Sequence, residues 1–218
     1  MPRGSSIVTG GGRSMRVSTR EFRARDLRVH EILRDVPLED VWALRLRGGG
    51  AGRTVEELRA VFADAMRAAP APVQALFRLR TALGRCFGWD RSRREWEAET
   101  YARRLGAGGR ATPAAPATID ASGTPDGRLT VVYRDDAELL SELRNATVHG
   151  FLSLSMRPAP GGYLGYLAVF VRPVSRFTWA YMTAIAPFRR FVVYPALVRG
   201  VERAWAERFG GVAARATP

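Results

Sequence analysis

The chain has 218 residues, 46% hydrophobic and 25% charged, which fits one domain of ordinary size with a sizeable core. Its single cysteine, Cys86, excludes an intrachain disulfide and suits a reducing compartment. Basic residues outnumber acidic ones 34 to 21, a net charge of +13 that can draw a protein to anionic lipid or nucleic acid.

Residues 1–20 are rich in Gly, Ser and Arg, lack the apolar core of a signal peptide, and read as a disordered basic tail. Ile7-Val8 before Gly10-Gly11-Gly12 is too short a strand to lead into a nucleotide loop. Residues 21–36 predict a short helix ending near Pro37. From Asp40 to Arg47, Trp42, Leu44 and Leu46 point one way and Arg45 and Arg47 the other, as in a half-buried strand ended by Gly48-Gly49-Gly50. Thr54 with Glu57 three residues on has capping-box spacing, and Val55, Leu58, Val61, Phe62 and Met66 then recur at helical intervals. Past Pro70 and Pro72, Val73, Leu76, Phe77, Leu79, Leu83 and Phe87 define a second amphipathic helix. The charged stretch 91–104 is compatible with further helix. The Gly/Ala/Pro/Thr-rich stretch 106–127 reads as a flexible loop.

Strands resume at Leu129–Arg134, with a turn at Asp135-Asp136. Glu138–Arg144 reads as a short strand, with helix as the alternative. Residues 146–174 predict a β-hairpin. Its first strand puts Val148, Leu152, Leu154 and Met156 on one face and His149, Ser153 and Ser155 on the other. A turn follows at 158–162, and Tyr163–Val171 is apolar on both faces and therefore central. Residues 175–209 predict a long helix kinked at Pro187 and again at Pro195, its stripe Phe177, Tyr181, Ile185, Phe188 and Val192 facing the sheet. Residues 211–218 read as a second tail. The fold class is α+β: one domain over 21–210, a curved, mainly antiparallel sheet closed by a long C-terminal helix, with two shorter helices after the first strand. No window reaches the roughly 18–20 apolar residues that cross a bilayer, and a soluble, cytoplasmic protein is expected.

This order of elements resembles the helix-grip fold of START-type lipid-transfer domains, birch-pollen-allergen-like proteins and polyketide cyclases. More specifically, Tyr181-Met182-Thr183-Ala184-Ile185-Ala186-Pro187-Phe188-Arg189-Arg190-Phe191-Val192-Val193 resembles an uncharacterised bacterial family, the domain-of-unknown-function family numbered 2867. Its members end in a strand and a helix with a Tyr-x-x-x-Ile-x-Pro-Phe core followed by basic or His residues. The Trp42 strand, the 70–88 helix and Gly88 extend the resemblance over most of 28–209. Arg189 stands where members often carry His, which removes a proton-transfer group from that position. The resemblance implies a container fold and carries no assigned activity.

The expected function is accordingly non-catalytic binding of a small apolar or amphipathic molecule in an internal cavity. Its lining would be Val148, Leu152, Leu154, Met156, Tyr166, Phe170, Tyr181, Ile185 and Phe188, with Tyr166 or Tyr181 orienting the ligand. The plain counterpart is that these residues form an ordinary packed core. Arg189, Arg190, Arg199 and Arg203 belong to a segment, 172–208, with seven arginines against Glu202 and Glu207, an excess of 7 − 2 = +5. With Trp179, Phe191 and Trp205 nearby, peripheral association with an anionic membrane is an alternative, and a solvated basic face is its plain counterpart. Nucleic-acid binding is disfavoured, because the arginines spread from Arg3 to Arg215 and no recognition motif organises them. The two histidines, His30 and His149, match no metal-site spacing, and neither metal nor cofactor is expected. His149 is the one weak catalytic candidate, for a cyclase- or hydrolase-like enzyme. It lies on the polar face of its strand or, with the register slipped by one, inside the sheet near Asp135, Asp136 or Tyr133. Cys86, on an apolar helix, reads as a buried small hydrophobe.

Overall fold

A computed structural model describes residues 15–71, 73–74, 118–120, 128–144, 148–173 and 176–211. Among these residues, seven strands form one antiparallel sheet: β1 (Met15–Arg16), β2 (Leu38–Arg47), β3 (Thr118–Asp120), β4 (Arg128–Arg134), β5 (Glu138–Arg144), β6 (Val148–Ala159) and β7 (Gly162–Pro173). Their order is β1-β2-β7-β6-β5-β4-β3, so β3 to β7 run as a meander and β2 returns beside β7. Helices α1 (Thr19–Arg23) and α2 (Val29–Ile32) pack on one face. On the other lie α3 (Val55–Arg67) and the C-terminal run, α4 (Arg176–Phe188), a π-helical turn (Arg189–Val193) and α5 (Tyr194–Phe209). The architecture is α+β with an antiparallel sheet and a long C-terminal helical run, as the order of elements predicts.

Two cores follow from the alternation of side chains across the strands. On the α3/α5 face, Trp42, Leu44 and Leu46 of β2 meet Leu154 of β6, Leu167 of β7, and Val198, Val201 and Trp205 of α5. On the α1/α2 face, Val41, Ala43, Phe151, Tyr166 and Phe170 meet Phe22, Val29 and Leu33. With both faces covered, β7 is the well-buried strand its apolar run predicts. Glycine fixes the end of the sheet where α5 docks. Gly49 N–H donates to the Phe209 carbonyl at 3.2 Å and Gly48 N–H to that of Gly161 at 2.8 Å, and both glycines have positive φ. The Glu57 carboxylate accepts the Thr54 N–H at 2.9 Å, completing one half of the predicted capping box, and Val55 N–H ties α3 to the β4–β5 turn through Asp136 O at 2.8 Å.

Three expectations about these elements need correction. The predicted 21–36 helix is two short helices: α1 ends with Ala24 as its C-cap, and at the start of α2 the Arg28 N–H donates to the Glu138 carboxylate at 3.2 Å. Within the expected N-terminal tail of residues 1–20, Met15 and Arg16 form β1, paired with Ala43 and Trp42, and Thr19 opens α1. Within the expected 106–127 loop, Thr118–Asp120 forms β3, paired with β4. Glu138–Arg144 is the expected strand, β5, held between β4 and β6, and not the alternative helix. The second helix beyond Gln74, Cys86, the charged stretch 91–104, the glycines at 10–12 and the tail from 212 lie outside the described residues.

The C-terminal run passes through a widened π-helical turn rather than breaking. Pro195 has no N–H to close a normal helical bond, and the turn before it opens to a π-type bond from Tyr194 N–H to Arg189 O. The extra residue moves the inward stripe on by one. Val193, not Val192, packs beside Phe188, and Val192 is exposed.

Candidate functional site

The expected lining residues do not share one face. Leu152, Leu154 and Met156 of β6 point to the α3/α5 side as predicted. Tyr166 and Phe170 point the opposite way, because Tyr166 pairs with Ser155 and Phe170 with Phe151, on the other parity of β6. There the Tyr166 ring stacks near Phe22 at 6.0 Å with the Arg25 guanidinium 4.2 Å above it, and burial raises its phenol pKa. On the α3/α5 side, β7 supplies Leu167 and Val169 instead. Ile185 and Phe188 of α4 are half-buried, while the side chains of Val148 and Tyr181 lie outside the described residues.

What the register does assemble is a row across four strands. Ser141 of β5 lies beside Leu152 of β6, Leu152 beside Val169 of β7, and Val169 beside Asp40 of β2. Three strand spacings put its ends about 14 Å apart. The next row, Leu139–Leu154–Leu167–Trp42, is sealed. In contrast, Leu152 and Val169 are only half-buried, as are Phe62 and Met66 of α3 packed around the same core. No described side chain of α4 is buried either: Met182, Ile185 and Phe188 are half-buried and Thr183, Ala184 and Pro187 exposed. Leu152 and Val169 are therefore half-buried apolar side chains beside a row that is sealed.

The Asp40 end of the row is charged. The carboxylate of Asp40, fully buried, accepts from Arg189 Nη2 at 3.0 Å and Arg190 Nε at 3.1 Å, with Arg16 at 3.5 Å. Arg189 also approaches Glu39 at 3.5 Å and the Met182 sulfur at 3.5 Å. Tyr194 stacks 5.7 Å from Trp42 beside this cluster, and burial pushes its phenol pKa well up. Arg189 is thus an internal cation rather than part of an anionic-surface patch, and Arg190 is committed to the same acid. Only Arg199 and Arg203 of the four expected surface arginines are exposed, and Trp205 is fully buried. Phe191, beside Arg190, is 79% exposed.

On the opposite face, His149 Nε2 lies 2.5 Å from Glu142 Oε1, both groups buried, with Phe151 stacked 4.7 Å from the imidazole. Glu142 is the partner that the sequence reading did not find. Asp135 instead accepts the N–H groups of Ala137 and Glu138 within its own turn, and Tyr133 donates to Glu138 at 2.9 Å. Burial, reinforced by the Glu138 charge, raises the Tyr133 pKa strongly. His149 therefore faces away from the Leu152–Val169 strip. His30 is held by the Phe22 carbonyl at 3.0 Å. Among the described residues no group of His, Cys, Asp or Glu is arranged to hold a metal, and no helix is long and apolar enough to cross a membrane.

Residues 32–196 match the family described as Protein of unknown function (DUF2867). The chain belongs to this family. The matched stretch runs from α2 through the π-helical turn and contains all four residues of the row and the Asp40–Arg189 pair. No curated protein and no solved structure matches the chain.

Proposed function

We propose that this member of the family binds a small apolar or amphipathic molecule, without chemistry, between its sheet and its C-terminal helical run, in the manner of a helix-grip protein. The observation that carries the reading is the half-buried strip of Leu152 and Val169. Apolar side chains at the centre of a covered sheet face are normally sealed, as Leu154 and Leu167 are one row away. Phe62 and Met66 of α3, packed on the same core, are half-buried as well. Covering such surface is worth about 25 cal/mol per Å², and a few polar groups at its margin would orient the ligand.

Native mass spectrometry of the purified protein, followed by denaturing extraction, tests this. A bound lipid-like or aromatic molecule is expected, and Leu152→Trp, which fills the strip, should release it while the protein stays folded. An empty wild-type protein that also ignores apolar probes would end the reading.

The cyclase- or hydrolase-like alternative draws on the buried His149–Glu142 pair, a carboxylate-oriented imidazole of the kind general bases use. That pair lies on the far side of the sheet from the strip, so it would not serve the same site. The membrane-surface alternative loses Arg189, Arg190 and Trp205 to the interior and to Asp40.

A further inference from the structure

Six buried polar side-chain atoms among the described residues have no hydrogen-bond partner, and three of them sit on residues in or next to the row. These three are Ser141 Oγ, Trp42 Nε1 and Arg189 Nε, on residues 1%, 4% and 9% exposed. Ser141 stands at one end of the row, and Arg189 is held on Asp40 at the other. Trp42 is two residues from Asp40 on the same face of β2. An unpaired buried polar group costs roughly 1–3 kcal/mol, and native structures keep few of them. Their chemistry is also one-sided. An indole N–H and a guanidinium Nε–H only donate, so what satisfies the Asp40 end must accept.

The charges sharpen the choice. Around Asp40 stand Arg16, Arg189 and Arg190 against Asp40 and Glu39, a balance of 3 − 2 = +1. Asp40 accepts through both oxygens, from Arg189 Nη2 and Arg190 Nε, and Arg189 Nη1 goes to Met182, so the Nε is what remains. One positive charge and two buried donors at the end of an apolar strip fit a single carboxylate on an apolar body. Resting on the container reading, we infer that the ligand is a carboxylate-ended apolar molecule. Its carboxylate meets Arg189 Nε and Trp42 Nε1, and its body lies over Val169 and Leu152 towards Ser141.

The test compares decanoate, decanol and decylamine by calorimetric titration of the full chain, at a pH where decanoate is ionised and decylamine protonated. Decanoate should bind at least tenfold more tightly than decanol, and decylamine least. In a proton–nitrogen NMR spectrum, decanoate should shift the Trp42 indole resonance and leave that of Trp205 in place. Trp42→Phe, which keeps the ring and removes the donor, should cut the preference for decanoate over decanol at least threefold. Equal binding of decanoate and decanol would overturn the carboxylate assignment and leave the container reading standing. So would a shift confined to Trp205 in the wild-type protein, which needs no variant to fold. Binding of none of the three probes by a protein that also purifies empty would overturn both.

Discussion

Replacing Asp40 with Asn should cost more stability than any surface charge in this protein. The side chain of Asp40 is fully buried, and it is the acceptor for two guanidinium groups, Arg189 at 3.0 Å and Arg190 at 3.1 Å. Breaking a buried pair by removing one partner typically costs 3–5 kcal/mol, because the remaining charge stays desolvated. Two features pull the value to the low end. Glu39 remains 3.5 Å from Arg189, and Arg190 keeps part of its side chain in solvent. A loss of about 3 kcal/mol is expected, which for a chain of this size corresponds to a fall in Tm of roughly 6–12 °C. Urea unfolding of the wild type, Asp40→Asn, Arg189→Met and the double variant gives the coupling. Arg189→Met removes the buried cation that Asp40→Asn alone would leave desolvated with only Glu39, at 3.5 Å, as counterion. The double variant should therefore be more stable than the sum of the singles by at least about 1 kcal/mol. Additivity within about 0.5 kcal/mol, or a loss below about 1 kcal/mol for Asp40→Asn alone, would refute the account of Asp40 as the counterion of a buried arginine.

Three further outcomes are expected. Burial raises the Glu202 pKa above 4.5 even though its carboxylate accepts the Arg45 N–H at 2.8 Å. The folded state therefore holds this proton more tightly than the unfolded chain, and stability falls as pH rises from about 4.5 through the raised value. Glu202→Gln keeps an acceptor without the charge, so thermal melts should show it at least as stable as the wild type at neutral pH, with the difference closing in acid; a clear loss at neutral pH would contradict this. Gly162→Ala should destabilise by about 3 kcal/mol or more, since φ is +150° and an added Cβ would sit 2.1 Å from the Leu46 carbonyl oxygen; an unchanged urea midpoint would show that this turn can relax. Phe191→Ser removes an exposed ring and should change stability by no more than about 0.5 kcal/mol, and a larger loss on unfolding would mean that Phe191 has a packing partner.

The parts of the fold that could be read in the sequence are those in which polarity reports the side of the chain. In β2 the alternation of Trp42, Leu44 and Leu46 with Arg45 and Arg47 marks one face without ambiguity, and in β6 Leu152, Leu154 and Met156 alternate with Ser153 and Ser155. In β7 that contrast is missing. Tyr163 to Val171 is apolar throughout, so nothing local separates Leu167 and Val169 from Tyr166 and Phe170. The pairing with β6 makes that separation, and two expected lining residues lie on the wrong side for this reason. Elements of two or three residues, such as β1 and β3, are too short for any period to register. The start of α2 is tied to Glu138, 110 residues away from Arg28 in the chain.

The candidate site was legible only in part for a related reason. Its apolar floor follows from strand alternation, but its polar margin depends on contacts that sequence spacing does not encode. Arg189 looks like a surface cation beside Arg190, and what brings it inside is Asp40, 149 residues earlier. The two prolines supply the local half of that arrangement. Between Pro187 and Pro195 the helix widens by one residue at Arg189–Val193, which puts Val193 in the packed stripe and carries Arg189 against β2. The bonds this makes also limit what Arg189 can do next. Both Asp40 oxygens and the Met182 sulfur are taken by terminal nitrogens of Arg189 or by Arg190, so the buried Arg189 Nε is left unpaired in a place already crowded with potential partners. A group that finds no acceptor with a carboxylate already in contact is poorly served by small adjustments of the same side chains. An acceptor arriving from the half-buried strip would serve it, and this is why the stability of the Asp40 pair and the selectivity for a carboxylate should be separable. Asp40→Asn is read in unfolding, whereas Trp42→Phe is read in the choice between decanoate and decanol.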